Sequence, residues 1–129
     1  MIETARSESP RWEWRIFGAE LTALEARLGA PVDPPRRSEE IYLLNGATPH
    51  SAKIRHGALE VKRLLQVDRD GLELWSPAFR GEFPLDAGRV REAFGALALA
   101  PPPLASDRYD QESFLGEIVA KRDDLKPVW

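Results

Sequence analysis

Ser51-Ala52-Lys53-Ile54-Arg55-His56-Gly57-Ala58-Leu59-Glu60-Val61-Lys62 reads as a β-hairpin folded about His56-Gly57. With those two residues as the loop, Arg55 lies opposite Ala58, Ile54 opposite Leu59, Lys53 opposite Glu60, and Ala52 opposite Val61. Apolar residues then meet apolar residues, and Lys53 meets Glu60. A slip of one residue would mix the two faces, so the pattern selects its own register.

The pattern extends outward on both sides. Strand character continues through Val67 to a turn at Asp68-Arg69-Asp70-Gly71, and residues 72–75 read as the returning strand. With that turn as the loop, Val67 is expected opposite Leu72 and Leu65 opposite Leu74. One face then carries Leu59, Val61, Leu65, Val67, Leu72 and Leu74, interrupted by Arg63. The other carries Lys53, Arg55, Glu60, Lys62, Gln66 and Glu73. Upstream, residues 39–44 form a strand candidate followed by an Asn45-Gly46 turn. RWEWRIF, residues 11–17, alternates Trp12, Trp14 and Ile16 with Arg11, Glu13 and Arg15, as a half-buried strand does.

Helices are expected at three places. Residues 19–28 carry Leu21, Leu24 and Leu28 at helical spacing, and Gly29 with Pro31 ends the run. Residues 86–98 start at a plausible N-cap, Asp86, with Val90, Phe94 and Leu97 on one face. Residues 109–122 place Phe114, Leu115, Ile118 and Val119 together. Pro77 and Pro84 frame a looser stretch, and APPPLAS, residues 100–106, is a stiff linker. Residues 1–9 read as a flexible N-terminus, and residues 10–129 as a single domain. Hairpin-linked strands followed by helices imply the α+β class, an antiparallel sheet with packing helices.

At 129 residues with 43% hydrophobic and 30% charged content, the chain is a globular domain rather than a disordered one. The net charge of −3 argues against a dedicated nucleic-acid binder. Cysteine is absent, which excludes disulfides, cysteine-ligated zinc and thiol catalysis. No apolar run approaches the ~20 residues of a membrane helix, and no signal peptide is evident, so a cytoplasmic protein without membrane attachment is expected.

The remaining polar groups point to turns and packing rather than chemistry. His50 and His56 have no further ligand at metal-binding spacing, and His56 belongs at a turn tip. Asp68, Asp70 and Gly71 lack the later ligands of a calcium loop. Ser51 and Ser76 have no evident base. Trp12, Trp14 and Trp75 are expected in the core or at an edge.

A charged sheet face holding Lys53, Arg55, Glu60 and Lys62 is the functional clue. If the strand at residues 11–17 joins the same sheet, Glu13 and Arg15 project beside them. Arginine grips phosphate oxygens in pairs and lysine adds point charge. The order Arg11-Trp12-Glu13-Trp14-Arg15, Glu40-Ile41-Tyr42-Leu43-Leu44, Lys53-Ile54-Arg55 and Leu59-Glu60-Val61-Lys62 resembles the N-terminal half of the CYTH-like, or triphosphate tunnel metalloenzyme, superfamily. Over residues 10–75 the resemblance implies half of an antiparallel β-tunnel. It implies hydrolysis or binding of triphosphates or organic phosphates, with Mg²⁺ or Mn²⁺. Arg15, Lys53, Arg55 and Lys62 would then bind phosphate, and Glu13 and Glu60 would hold the metal.

Arg11 stands where that family's first glutamate belongs, and Arg15 where its lysine does. Leu125-Lys126-Pro127-Val128-Trp129 reads as the opening of a further strand. A longer natural chain, or a homodimer completing the sheet in trans, would supply the rest. The alternative is a non-catalytic, degenerate member that binds polyanions or a protein.

Overall fold

A computed structural model describes residues 10–13 and 39–129. The expected helix at 19–28, the 14–17 half of the first strand, and Arg15 lie outside the described residues. The described strands are β1 (Arg11–Glu13), β2 (Glu40–Leu44), β3 (Ser51–Arg55), β4 (Ala58–Val67), β5 (Glu73–Glu82), β6 (Leu85–Asp86), β7 (Arg108–Tyr109) and β8 (Lys126–Val128). The described helices are α1 (Ala87–Leu97) and α2 (Gln111–Ser113), the latter running on through a π turn (Phe114–Ile118) and a 3₁₀ turn (Val119–Lys121). A six-stranded antiparallel sheet has the order β1-β5-β4-β3-β2-β8, and β6 and β7 form a separate two-stranded pair. The fold is therefore α+β with an antiparallel sheet.

The central hairpin folds as its side-chain pattern demands. Ala52 opposes Val61, Lys53 Glu60, Ile54 Leu59, and Arg55 Ala58. His56 and Gly57 both take positive φ, 52° and 72°, the geometry of a two-residue turn whose twist matches the strands. Asn45 closes the β2–β3 loop by accepting hydrogen bonds at Oδ1 from the Ala47 and Thr48 amides.

The second hairpin departs from expectation. Asp68 Oδ1 accepts from the amides of both Asp70 and Leu72, and the Asp68 amide donates to the Leu72 carbonyl, so Leu72 belongs to the turn. β5 starts at Glu73, which opposes Val67, while Gln66 opposes Leu74 and Leu64 opposes Trp75. The register shift between Leu64 and Gln66 places one extra residue in β4 and inverts the side-chain parity beyond it. Leu65 and Val67, expected on the packed face, are 54% and 53% exposed. A second shift between Val61 and Lys62 lets β5 run through Pro77 to Glu82 as strand, where a looser stretch was expected. Trp75 is buried, and Trp12, about half exposed, lies on the edge strand β1, both as anticipated.

The apolar face of β2–β5 carries Ile41, Leu43, Ala52, Ile54, Leu59, Val61 and Phe79, all buried. Onto it pack Val90, Phe94 and Leu97 from α1, and Phe114, Ile118 and Val119 from the second helical segment. Asp86 caps α1 by accepting from the Arg89 amide at 2.8 Å. Gly81 lies so near this layer that a Cβ there would stand 2.6 Å from Leu85 Cδ2. Within the segment 125–129, Lys126–Val128 forms β8 and pairs with β2, Tyr42 opposite Val128. Among the described residues no helix is long and apolar enough to cross a membrane.

Candidate functional site: a charged sheet face

Strand alternation sends every second side chain of β2–β5 away from the helices. Across the strands that face presents Glu40 from β2, Lys53 and Arg55 from β3, Glu60 and Lys62 from β4, and Arg80 and Glu82 from β5. β1 joins the sheet beside β5 and brings Glu13 onto the same side, where Lys62 Nζ meets Glu13 Oε2 at 3.3 Å. Of the predicted residues, Lys53, Arg55, Glu60, Lys62 and Glu13 are thus brought to one face.

The pairing differs from that expected along the hairpin. Lys53 opposes Glu60 in register, yet its ammonium lies 3.4 Å from Glu40 Oε1. Glu60 instead receives Arg55 Nη2 at 3.3 Å and Arg80 Nε at 3.7 Å. Arg55 Nη1 also stands 3.6 Å from Glu40 Oε2, so the guanidinium bridges two carboxylates. Arg80 continues the row to Glu82 at 3.6 Å. Long side chains on a twisted sheet reach diagonal neighbours as readily as direct ones, and Glu40, opposite Arg55 on β3, lies within reach of both cations.

Arg55 has one further property: its Nε is buried without a hydrogen-bond partner. A guanidinium carries five donors, and an unsatisfied one in a shielded position is costly. A cleft of about 330 Å³ opens beside this residue at the end of the sheet, bounded by Glu40, Arg55, His56, Gln111 and Trp129.

Glu40 and Arg80 were not singled out in the sequence. Glu40 enters through the β2–β3 register, which a loop of several residues conceals. Arg80 was hidden because Pro77 argues against a continuous strand.

Each of the two expected metal ligands is engaged by basic side chains, Glu13 by Lys62. Glu60 lies between Arg55 and Arg80. The residue opposite Glu13 is Glu73, whose Oε1 accepts the Trp75 indole N–H at 3.0 Å. Among the described residues no three His, Asp or Glu side chains come together as a metal would require.

His50 lies apart from the ion-paired row, whereas His56, in the β3–β4 turn, borders the cleft. His50 Nδ1 accepts the Leu64 amide N–H at 3.1 Å, which requires the unprotonated ring. Burial, helped by the charge of Arg63, lowers its pKa below the ordinary value.

No family model, no curated protein and no solved structure matches this chain.

Proposed function

We propose that the charged face binds a phosphorylated small molecule or polyphosphate, with Lys53, Arg55 and Lys62 as the anion-holding residues and Arg80 as a fourth. The observation that carries this reading is the convergence of Lys53, Arg55, Lys62 and Arg80 on one sheet face, beside a cleft that Arg55 helps to line. Partly exposed ion pairs are worth only about 0–1 kcal/mol. A phosphate group, with more charge and more acceptor oxygens than a carboxylate, competes with Glu40 and Glu60 for these cations. The likeness of these strands to the CYTH-like superfamily favours phosphate over other anions. The cytoplasm, where such compounds abound, is the compartment we assign.

In this reading the basic side chains hold the ligand directly. A Mg²⁺ or Mn²⁺ ion at Glu13 and Glu60 would have to draw those carboxylates away from Lys62, Arg55 and Arg80. Binding without catalysis is therefore the form of the proposal we carry forward, ahead of a metal-dependent phosphohydrolase.

A second reading has its own observation. In the ion-paired row, Lys53, Arg55, Lys62 and Arg80 match Glu13, Glu40, Glu60 and Glu82, four against four. Such a balanced face suits a solvated structural ladder.

Titration calorimetry with tripolyphosphate at low salt separates the two. Specific binding that weakens tenfold or more in Lys53→Ala and Arg55→Ala supports the anion site. Absent binding, or variants that behave as the parent, leaves the ladder. Phosphate release with Mg²⁺ or Mn²⁺ added would restore the phosphohydrolase.

A sheet-completing homodimer must pair along an outer edge. Beyond β1 the edge of β5 carries Pro77, and β8 carries Pro127, neither with an N–H to donate. Among the described residues these prolines disfavour pairing at β8 and where β5 runs past β1, and we favour a monomer as the binding unit.

A further inference from the structure

On the helical side of the sheet, away from the charged face, a groove of about 370 Å³ runs between the proline-rich segment and the second helical segment. Its volume falls within the roughly 300–1,000 Å³ of small-ligand sites. Pro102, Leu104, Tyr109 and Ile118 supply its apolar walls, and Glu117 and Lys121 its polar ones.

The groove is built rather than incidental. The proline wall is pinned at both ends: Arg122 Nη1 donates to the Ala100 carbonyl at 2.8 Å, and the Ser106 amide donates to the Tyr109 hydroxyl at 3.0 Å. Arg122 is itself fixed by Asp124 at 2.6 Å and lies over the Phe94 ring. Consecutive prolines add stiffness, so a ligand pays little to order this wall. The opposite wall includes the π turn, a distortion often found at functional sites.

Two polar groups in the groove are unspent. The Tyr109 hydroxyl accepts from Ser106 and keeps its own proton for another acceptor. Lys121 forms no ion pair among the described residues. An O–H donor and an ammonium beside an apolar trough are complementary to an anionic head with a hydrophobic tail.

We propose that this groove binds a small amphipathic carboxylic acid. Its carboxylate takes the Tyr109 O–H and the Lys121 ammonium, and its hydrocarbon portion lies against Pro102, Leu104 and Ile118. Glu117 opposes the ligand's charge and tempers affinity.

The test is titration of the full chain with octanoate, followed by ¹H–¹⁵N correlation NMR, with octanol and octylammonium as comparisons. Saturable shifts confined to residues 104–105, 109 and 117–122 are expected with octanoate, and at least tenfold weaker binding of the other two. Lys121→Gln, at an exposed position that leaves the fold intact, should weaken octanoate about tenfold. Tyr109→Phe should also weaken it, and Glu117→Gln should strengthen it. Octanol binding as well as octanoate, the absence of saturation, or indifference to Lys121→Gln overturns the proposal. Because the charged face is untouched by these variants, tripolyphosphate binding should be unaltered in all three.

Discussion

Arg55 bridges Glu40 and Glu60, and a double-mutant cycle of Arg55→Met and Glu60→Gln measures what that bridge contributes. The Arg55–Glu60 contact is 3.3 Å, with side chains 37% and 17% exposed. At that separation the Coulomb attraction is about 1.3 kcal/mol in a dielectric of ~80 and larger where water is partly excluded. Desolvation and side-chain ordering take back part of it, leaving a coupling of about 0.5–1 kcal/mol. Arg55→Met also loses the 3.6 Å contact with Glu40, so its total cost is about 1–1.5 kcal/mol. With a urea m-value of about 1–3 kcal/mol/M, the midpoint falls by roughly 0.3–1.5 M. Urea unfolding followed by tryptophan fluorescence, with Trp75 buried in the fold, reads the cycle. In 1 M salt the Debye length shrinks to about 3 Å and the coupling should fall towards zero. A coupling under about 0.2 kcal/mol at low salt, or one indifferent to salt, refutes the assignment of this face as an interacting charge row.

Four further outcomes are expected. His50 has a depressed pKa when folded, so the unfolded chain takes up its proton first as pH drops. Its stabilising contribution is present above the unfolded value of about 6.5 and is lost as pH falls through the folded value; His50→Gln should flatten that part of the pH–stability curve. Gly81→Ala drives a methyl to 2.6 Å from Leu85 Cδ2 and 3.0 Å from Phe79 Cζ, and thermal denaturation should show a loss of about 1–3 kcal/mol. Asp86→Ala removes the acceptor of the Arg89 amide and should cost about 1 kcal/mol in urea unfolding, while Asp86→Asn retains most of the cap. Native mass spectrometry at micromolar concentration should show a single chain, because Pro127 on the β8 edge and Pro77 where β5 runs past β1 oppose strand addition there.

Local pattern was a good guide where each residue's role rests on its near neighbours. The β3–β4 hairpin declared itself because a two-residue loop leaves one register that keeps Ile54 with Leu59 and Ala52 with Val61. The α1 start was legible for the same reason, since Asp86 and the apolar positions Val90, Phe94 and Leu97 lie within a few turns of one another. The β4–β5 hairpin was misread because bulges leave no periodic mark: one extra residue at Leu65 turned an apparently apolar row into exposed Leu65 and Val67. A proline at position 77 concealed that β5 continues as an edge strand to Glu82.

The charged face shows the same division. That Lys53, Arg55, Glu60 and Lys62 share a side followed from strand alternation alone, a consequence of backbone geometry with a period of two. Their partners did not follow. Glu40 reaches Lys53 and Arg55 through the docking of β2, Glu13 reaches Lys62 through the placement of β1 beyond β5, and Arg80 reaches Glu60 from a strand hidden by Pro77. Ion-pair geometry depends on separations of a few ångströms between segments distant in the chain, and those separations are set by how the strands pack, not by the order of the residues. Composition and periodicity thus determined the class, the first hairpin and the side on which the charges lie. Only the tertiary structure decided which charge answers which, and that Arg55 keeps a shielded donor unspent.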